Sequence, residues 1–417
     1  MTIRFAPLPA PKDIPQLKPL LDHADEADFV ALLEDSLKMA DDKAKTDLDP
    51  ALYAALPYAD TAWPTTFDTY ISFLVEFAHW IPQQSSDPAW LDPDSPLGEH
   101  QEVYDHLCFF YWLIDQPVGP DGGVVQDIPW FADFLRDYAT LWGDFLDTTE
   151  SFNDEILQTF IDDSPKFRVQ DSMIGSPPRP NAPSGWLTFN QFFARELNPG
   201  LRPIANLADN TTITAPADCT YKQHYQIDAS GTIQPPITIK GTHTYATVQK
   251  LLEGSQFADQ FNGGNFIHFF LGPYSYHRFH TPVAGTVIEC YPLTGQVYLK
   301  VALGGGQFQA ADSAEDGYEF LQARGIITID TTYSPYGNVG IVAVIPVGMC
   351  QVSGVNMTHE VGTGCNKGDE FGYFTFGGSD IIVLTQAGTD PVYDPAFART
   401  PPPYSLYGSL IATVKTV

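Results

Sequence analysis

A proline-rich stretch at 175–185, GSPPRPNAPSG, separates two regions whose apolar residues repeat in incompatible ways. Before it, Leu17, Leu20, Leu21, Phe29, Leu32, Leu33 and Leu37 recur at roughly helical spacing. So do Phe73, Leu74, Phe77 and Trp80, and then Leu107, Phe110, Tyr111 and Ile114. Proline and aspartate clusters at 85–95 and 116–123 punctuate these helices. After the stretch, strand-like runs alternate with glycines at 211–214, 237–239, 266–270, 286–291, 297–301, 325–329, 339–347 and 381–385. The strongest helix signal there is 245–252, opened by Thr244. The pattern predicts an α+β chain: a helical N-terminal domain over 1–174, a linker at 175–185 and a β-rich lobe over 186–417. The tail at 389–407, rich in proline and tyrosine, is expected to wrap the surface before a last strand at 409–414. The aromatic stripes of the first region can line a ligand site or pack a core, and their spacing is that of a buried helix face.

Charge narrows the partners. Acids outnumber bases 51 to 21, a formal charge of −30. Residues 1–150 carry 28 acids against 7 bases, and no Lys or Arg occurs between Lys45 and Arg136. Such a surface repels phosphate backbones and an anionic lipid leaflet, so neither a nucleic acid nor a membrane is expected as partner. No apolar run reaches the length of a transmembrane helix, and the first residues lack the apolar core of a signal peptide. The five cysteines, Cys108, Cys219, Cys290, Cys350 and Cys365, are odd in number and contain no CxxC. They fit a reducing cytoplasm better than a disulfide scaffold or a zinc site.

Four segments of the second region carry chemistry: FNQFFARELNPGLRPI at 189–204, APADCT at 215–220, YHRFHTPVAG at 276–285 and KGDEFGYFTFGGSD at 367–380. Together they resemble the phosphatidylserine decarboxylase family, over roughly residues 185–385. The family's members cut themselves to make a pyruvoyl cofactor. The order and separation of the last two segments are specific, whereas a lone Gly-Gly-Ser reads as a hairpin turn. Lys367-Gly368-Asp369-Glu370 reads as a turn before the strand that delivers Gly378, and its spacing resembles lipoyl-like hairpins. That adds a barrel-sandwich character to the expected lobe.

The resemblance implies a cut between Gly378 and Ser379. Two glycines free the backbone before the serine for a strained turn. The Ser379 hydroxyl attacks the Gly378 carbonyl, the resulting ester splits by elimination, and hydrolysis leaves a pyruvoyl group at the new N-terminus. A base and oxyanion donors are needed. Carried over by motif position, His280 is that base, Asp218 orients it, and His277 serves decarboxylation by protonating carbon. Read alone, Asp218 would be a turn residue and either histidine a satisfied core residue. A zinc site of His268, His277 and His280 is the rival reading, without a completing ligand at metal-like spacing. Phe189, Phe192 and Phe193 look like one apolar patch. Arg195 and Arg202 pair with carboxylates, or one of them holds a substrate carboxylate.

Two departures stand out. Asp380 follows the serine where the family usually has threonine, and Cys219 follows Asp218 where glycine is common. Asp380 would sit beside the pyruvoyl group and can contact a substrate ammonium. A free amino-acid substrate, with an aromatic one favoured, follows from resemblance to the family's soluble, tryptophan-decarboxylating branch, together with the acid excess. It would form a Schiff base and release carbon dioxide and an amine, with no pyridoxal phosphate. A lipid decarboxylase and an uncleaved, non-catalytic binding relative are the alternatives. Exposed sheet edges in the lobe make a homodimer an expectation.

Overall fold

The structure, a computed structural model, describes residues 8–56, 62–92, 99–181, 185–239, 244–311, 317–350 and 354–417. Part of the expected linker, 182–184, lies outside them. The chain forms two compact units from interleaved segments. One comprises Met1–Gln170, Pro183–Phe192 and Gln296–Asp312; the other comprises Asp171–Ala182, Phe193–Gly295 and Ser313–Val417. The stretch predicted as a linker is partly ordered structure: Met173–Ile174 pairs antiparallel with Arg179–Pro180.

The first unit is helical because its apolar residues return every three or four positions. In the helix Ala27–Asp47, Phe29, Leu33, Leu37, Ala40 and Ala44 form the buried stripe. The helix Phe67–Phe77 begins at a reciprocal cap between Thr66 and Thr69 and buries seven of its eleven residues. The aromatic stripes meet in a core: Phe77 lies 4.9 Å from Phe110, 5.1 Å from Trp142 and 5.2 Å from Trp80. Buried polar edges find backbone partners, as Trp142 Nε1 donates to the Trp80 carbonyl and Trp112 Nε1 to that of Ala40. A β-hairpin, Lys300–Gly304 with Gln307–Ala311, also belongs to this unit. Its Val301 N–H donates to Asp115, and its Ala310 N–H to the Tyr104 hydroxyl. The strand expected at 297–301 therefore begins at Lys300 and serves the helical unit.

The second unit is built on one large antiparallel sheet. Its strand order is Gly364–Cys365, Gly285–Leu293, Arg324–Asp330, Ile341–Met349, Gly378–Thr385, Asn265–Leu271, Cys219–Ile227 and Tyr404–Ser405. This path is open, so no closed barrel forms among the described residues. The central strands are nearly continuous runs of Ile, Val, Leu and Phe because both their faces are buried. Cys219–Ile227 escapes a hydropathy reading: Lys222, Gln223, His224 and Gln226 interrupt it, yet Cys219, Tyr221, Tyr225 and Ile227 turn inward. The helix expected at 245–252 shrinks to Val248–Leu251, and Thr247, not Thr244, caps it by accepting the Lys250 N–H. A three-stranded sheet, Val355–Met357, Glu370–Phe374 and Arg278–His280, packs strands so tightly that a Cβ on Gly372 would lie 2.1 Å from the Asn356 carbonyl.

Candidate active site

Ser379 is the second residue of the strand Gly378–Thr385, held in register between Gly348 and Leu271. It is fully buried, and its hydroxyl has no hydrogen-bond partner among the described residues. The preceding Gly377 has φ 152°, a conformation that residues with a Cβ rarely adopt. A buried, unpartnered hydroxyl next to a glycine-only backbone turn fits a serine consumed in making a pyruvoyl group. The sheet brings Asp218 to the same end: Ser379 faces Leu271, Phe270 faces Thr220, and Asp218 lies two residues before Thr220.

His277 precedes the strand Arg278–His280, and its carbonyl accepts the Phe374 N–H at 2.9 Å. Its ring is fully buried and stacks on Phe193, with centroids 3.9 Å apart. Phe193 in turn meets Phe376 edge-on at 4.9 Å, three residues before Ser379. Burial, reinforced by the Arg195 charge, pushes the His277 pKa well below its ordinary value, so the ring is neutral at pH 7. Arg195 is itself buried, which draws its pKa down to about 10. The anticipated phenylalanine patch therefore divides. Phe189 and Phe192 pack with Phe152 and Phe160 in the helical unit, while Phe193 supports His277 in the β unit.

His280 is fixed on all sides. Its Nδ1 faces the Gly368 carbonyl at 2.9 Å, and its Nε2 faces the Tyr276 hydroxyl at 3.1 Å. A carbonyl only accepts, so Nδ1 carries the proton and Nε2 accepts from Tyr276. Tyr407 covers one face at 3.8 Å and 3°. Burial lowers the His280 pKa to about 4. Neither nitrogen meets Asp218, the expected orienter. Asp218 instead receives Arg202 in a two-pronged pair, with Nη2 to Oδ2 at 2.6 Å and Nε to Oδ1 at 3.1 Å, and it accepts the Tyr407 N–H at 2.8 Å. Arg202 also reaches Asp171 at 3.2 Å, so its role is the structural pairing considered from sequence.

Asp380 takes the opposite face of its strand from Ser379. Its Oδ2 lies 3.1 Å from His268 Nε2, and His268 Nδ1 lies 3.9 Å from Glu319 Oε1, all three residues being fully buried. Asp380, singled out from sequence as a possible substrate contact, thus lies against His268. This arrangement gives His268 two carboxylate neighbours, where the zinc reading grouped it with His277 and His280. Lys367 is another residue read only as part of a turn. Its buried ammonium donates to the carbonyls of Asn206, Asp209 and Thr212, and burial lowers its pKa to about 8. Tyr407 was not foreseen at all, because nothing in a proline- and tyrosine-rich tail signals which ring returns to the site.

Against known proteins, a family model described as phosphatidylserine decarboxylase matches residues 189–396. The phosphatidylserine decarboxylase proenzyme of Brevibacillus brevis is 31% identical over 236 residues, covering 52% of this chain and 75% of that protein. Decarboxylase iboD of Amanita muscaria is 29% identical over 279 residues, 61% of this chain and 77% of its own. Phosphatidylserine decarboxylase proenzyme 2 of Oryza sativa subsp. japonica is 31% identical over 254 residues, 60% of this chain but 36% of the rice protein. The chain thus spans about a third of the length of the rice relative.

Proposed function

The chain belongs to the phosphatidylserine decarboxylase family, and from that premise we propose that it is a self-processing, pyruvoyl-dependent decarboxylase of a free amino acid, an aromatic one favoured. The observation that carries the reading is Ser379, fully buried, with a hydroxyl unpartnered among the described residues, directly after Gly377 at φ 152° and Gly378. Ser379 Oγ attacks the Gly378 carbonyl, the Gly378–Ser379 C–N bond breaks to leave an ester that then splits by elimination, and neutral His280 is the base for the hydroxyl proton, taking it at Nε2 in place of the Tyr276 hydrogen bond. Cleavage gives chains 1–378 and 379–417. The pyruvoyl group left on the second chain supplies an electron-withdrawing ketone for loss of carbon dioxide. His277, neutral and shielded by Phe193, takes a proton from the substrate ammonium and returns it to the carbon that has lost carbon dioxide. Arg195 adds a buried positive charge beside it.

The substrate class rests on charge. A net −30 disfavours docking on an anionic leaflet, and no described helix is long and apolar enough to cross a membrane. A free amino acid needs no such surface, and Phe193, Phe376, Tyr276 and Tyr407 give the site aromatic surroundings. A cytoplasmic location is consistent with five free cysteines. The outermost strands of the large sheet, Gly364–Cys365 and Tyr404–Ser405, are two residues long, so a homodimer would have little backbone edge to pair through.

Phosphatidylserine is the second reading, favoured by the names of the Brevibacillus and rice relatives. Carbon dioxide release from tryptophan, tyrosine and phenylalanine, run beside phosphatidylserine vesicles, separates the two. The proposal expects release with an amino acid. Turnover of vesicles alone would replace it with the lipid reading, and no turnover of an uncut chain would favour a non-catalytic relative.

A further inference from the structure

We propose that the C-terminal tail is part of the self-cleavage machinery: Tyr407 is a positioning residue for His280, and Asp218 acts on His280 through Tyr407. The inference rests on the reading of His280 as the base that serves Ser379. An imidazole base must be held in one tautomer and one orientation. Here the tautomer needs no carboxylate, because the Gly368 carbonyl takes the Nδ1 proton and Tyr276 donates to Nε2. What remains to be fixed is the plane of the ring, and Tyr407 fixes it by lying parallel at 3.8 Å.

Tyr407 is held in turn by the segment that carries Asp218. Its N–H donates to Asp218 Oδ1 at 2.8 Å, while Arg202 locks the same carboxylate from the other side. Flanking contacts secure the tail: Ser405 pairs with Cys219, Tyr404 with Thr220, the Gly408 N–H donates to the Ala215 carbonyl, and the Tyr404 hydroxyl donates to Ser275. Asp218 therefore orients His280 at one remove, through the backbone of the residue whose ring covers it. Tyr407 also lies beyond residue 396, where the family match ends, so this support is outside the shared motifs.

The tail has a second effect, since the Tyr407 ring shields His280 from water and so disfavours its charged form. The other groups facing that imidazole are the Tyr276 hydroxyl, the Gly368 carbonyl and, on its own strand, Arg278, which pairs with Glu370 opposite; Asp218 and Arg202 stand behind Tyr407.

The test uses the full-length Ser379→Ala chain, which stays uncut whatever the protein's activity, with 13C-labelled histidine followed by NMR across pH. The His280 signal should titrate near pH 4 in this parent and with Tyr407→Phe, and at least one pH unit higher with Tyr407→Ala or Asp218→Ala. The double Tyr407→Ala/Asp218→Ala chain should titrate where the single variants do. Tyr407→Leu replaces Tyr407→Ala if the latter does not fold. In the Ser379 chain, Tyr407→Ala should slow cleavage about tenfold or more, with Tyr407→Phe near wild type. The proposal falls if Tyr407→Ala titrates like Tyr407→Phe, or if Asp218→Ala shifts His280 equally with and without the Tyr407 ring. A wild-type chain that never cleaves would remove the functional reading, and the titration would still decide the positioning role.

Discussion

His277 and His280 sit three residues apart in different surroundings, and different roles are proposed for them. His277 is stacked on Phe193 beside Arg195, whereas His280 is bound at both nitrogens and covered by Tyr407. Replacing His277 with alanine should leave self-cleavage intact and reduce decarboxylation by about 10²–10⁴, the usual share of one acid–base group. Chain separation on a denaturing gel and carbon dioxide release measure the two steps, and full activity of the variant would refute the division. His280→Ala should remain mostly uncut. Both histidines can be singled out from sequence, because the Tyr-His-Arg-Phe-His segment carries them at family positions. Their neutrality cannot, because it depends on Phe193, Arg195 and Tyr407, which come from segments distant in sequence. Asp218 was legible as a residue and misjudged as a contact, since only folding shows that Arg202 and the Tyr407 N–H occupy its carboxylate.

The strand Gly378–Thr385 and the turn before it deliver the serine. The strand was legible from 381 onward, where Ile381, Ile382, Val383 and Leu384 are apolar; its first residues look like a loop because Gly378, Ser379 and Asp380 are not. They join the sheet because Met349, Gly348 and Val347 pair with them across one edge, with Leu271 and Phe270 on the other side. At Gly377 a side chain is strained at φ 152°. Gly377→Ala should therefore cost about 1–3 kcal/mol of stability, read as a lowered denaturation midpoint in the uncut Ser379→Ala chain, and should slow cleavage in the Ser379 chain. An unchanged midpoint would mean that the turn relaxes freely. The polar strand Cys219–Ile227 marks the limit of periodicity as evidence. Its buried residues, Cys219, Tyr221, Tyr225 and Ile227, keep to alternate positions, but exposed Gln223 interrupts the series at a bulge between Tyr221 and Gln223, so the run does not read as a strand.

At the scale of the whole molecule, a buried acid ties stability to pH. In the helical unit, Glu102 is buried 3.8 Å from His106, and desolvation raises its pKa from 4.5 to about 8. The native state thus keeps a proton that the unfolded chain releases above about pH 4.5. This contribution is complete below that pH and is lost as pH rises towards 8. Glu102→Gln should flatten the fall in denaturation midpoint between pH 5 and 8 relative to wild type; parallel curves would show that Glu102 is ionised in the fold. Two regions of unlike structure were legible from apolar spacing, but the passage of hairpin 300–311 to the helical unit was not, because its sequence resembles the strands around it. Self-cleavage before Ser379 would convert this chain into two. Intact mass of freshly expressed wild-type protein tests it most directly: fragments 1–378 and 379–417, the second blocked by a pyruvoyl group, are predicted, and a single uncut chain of 417 residues would contradict it.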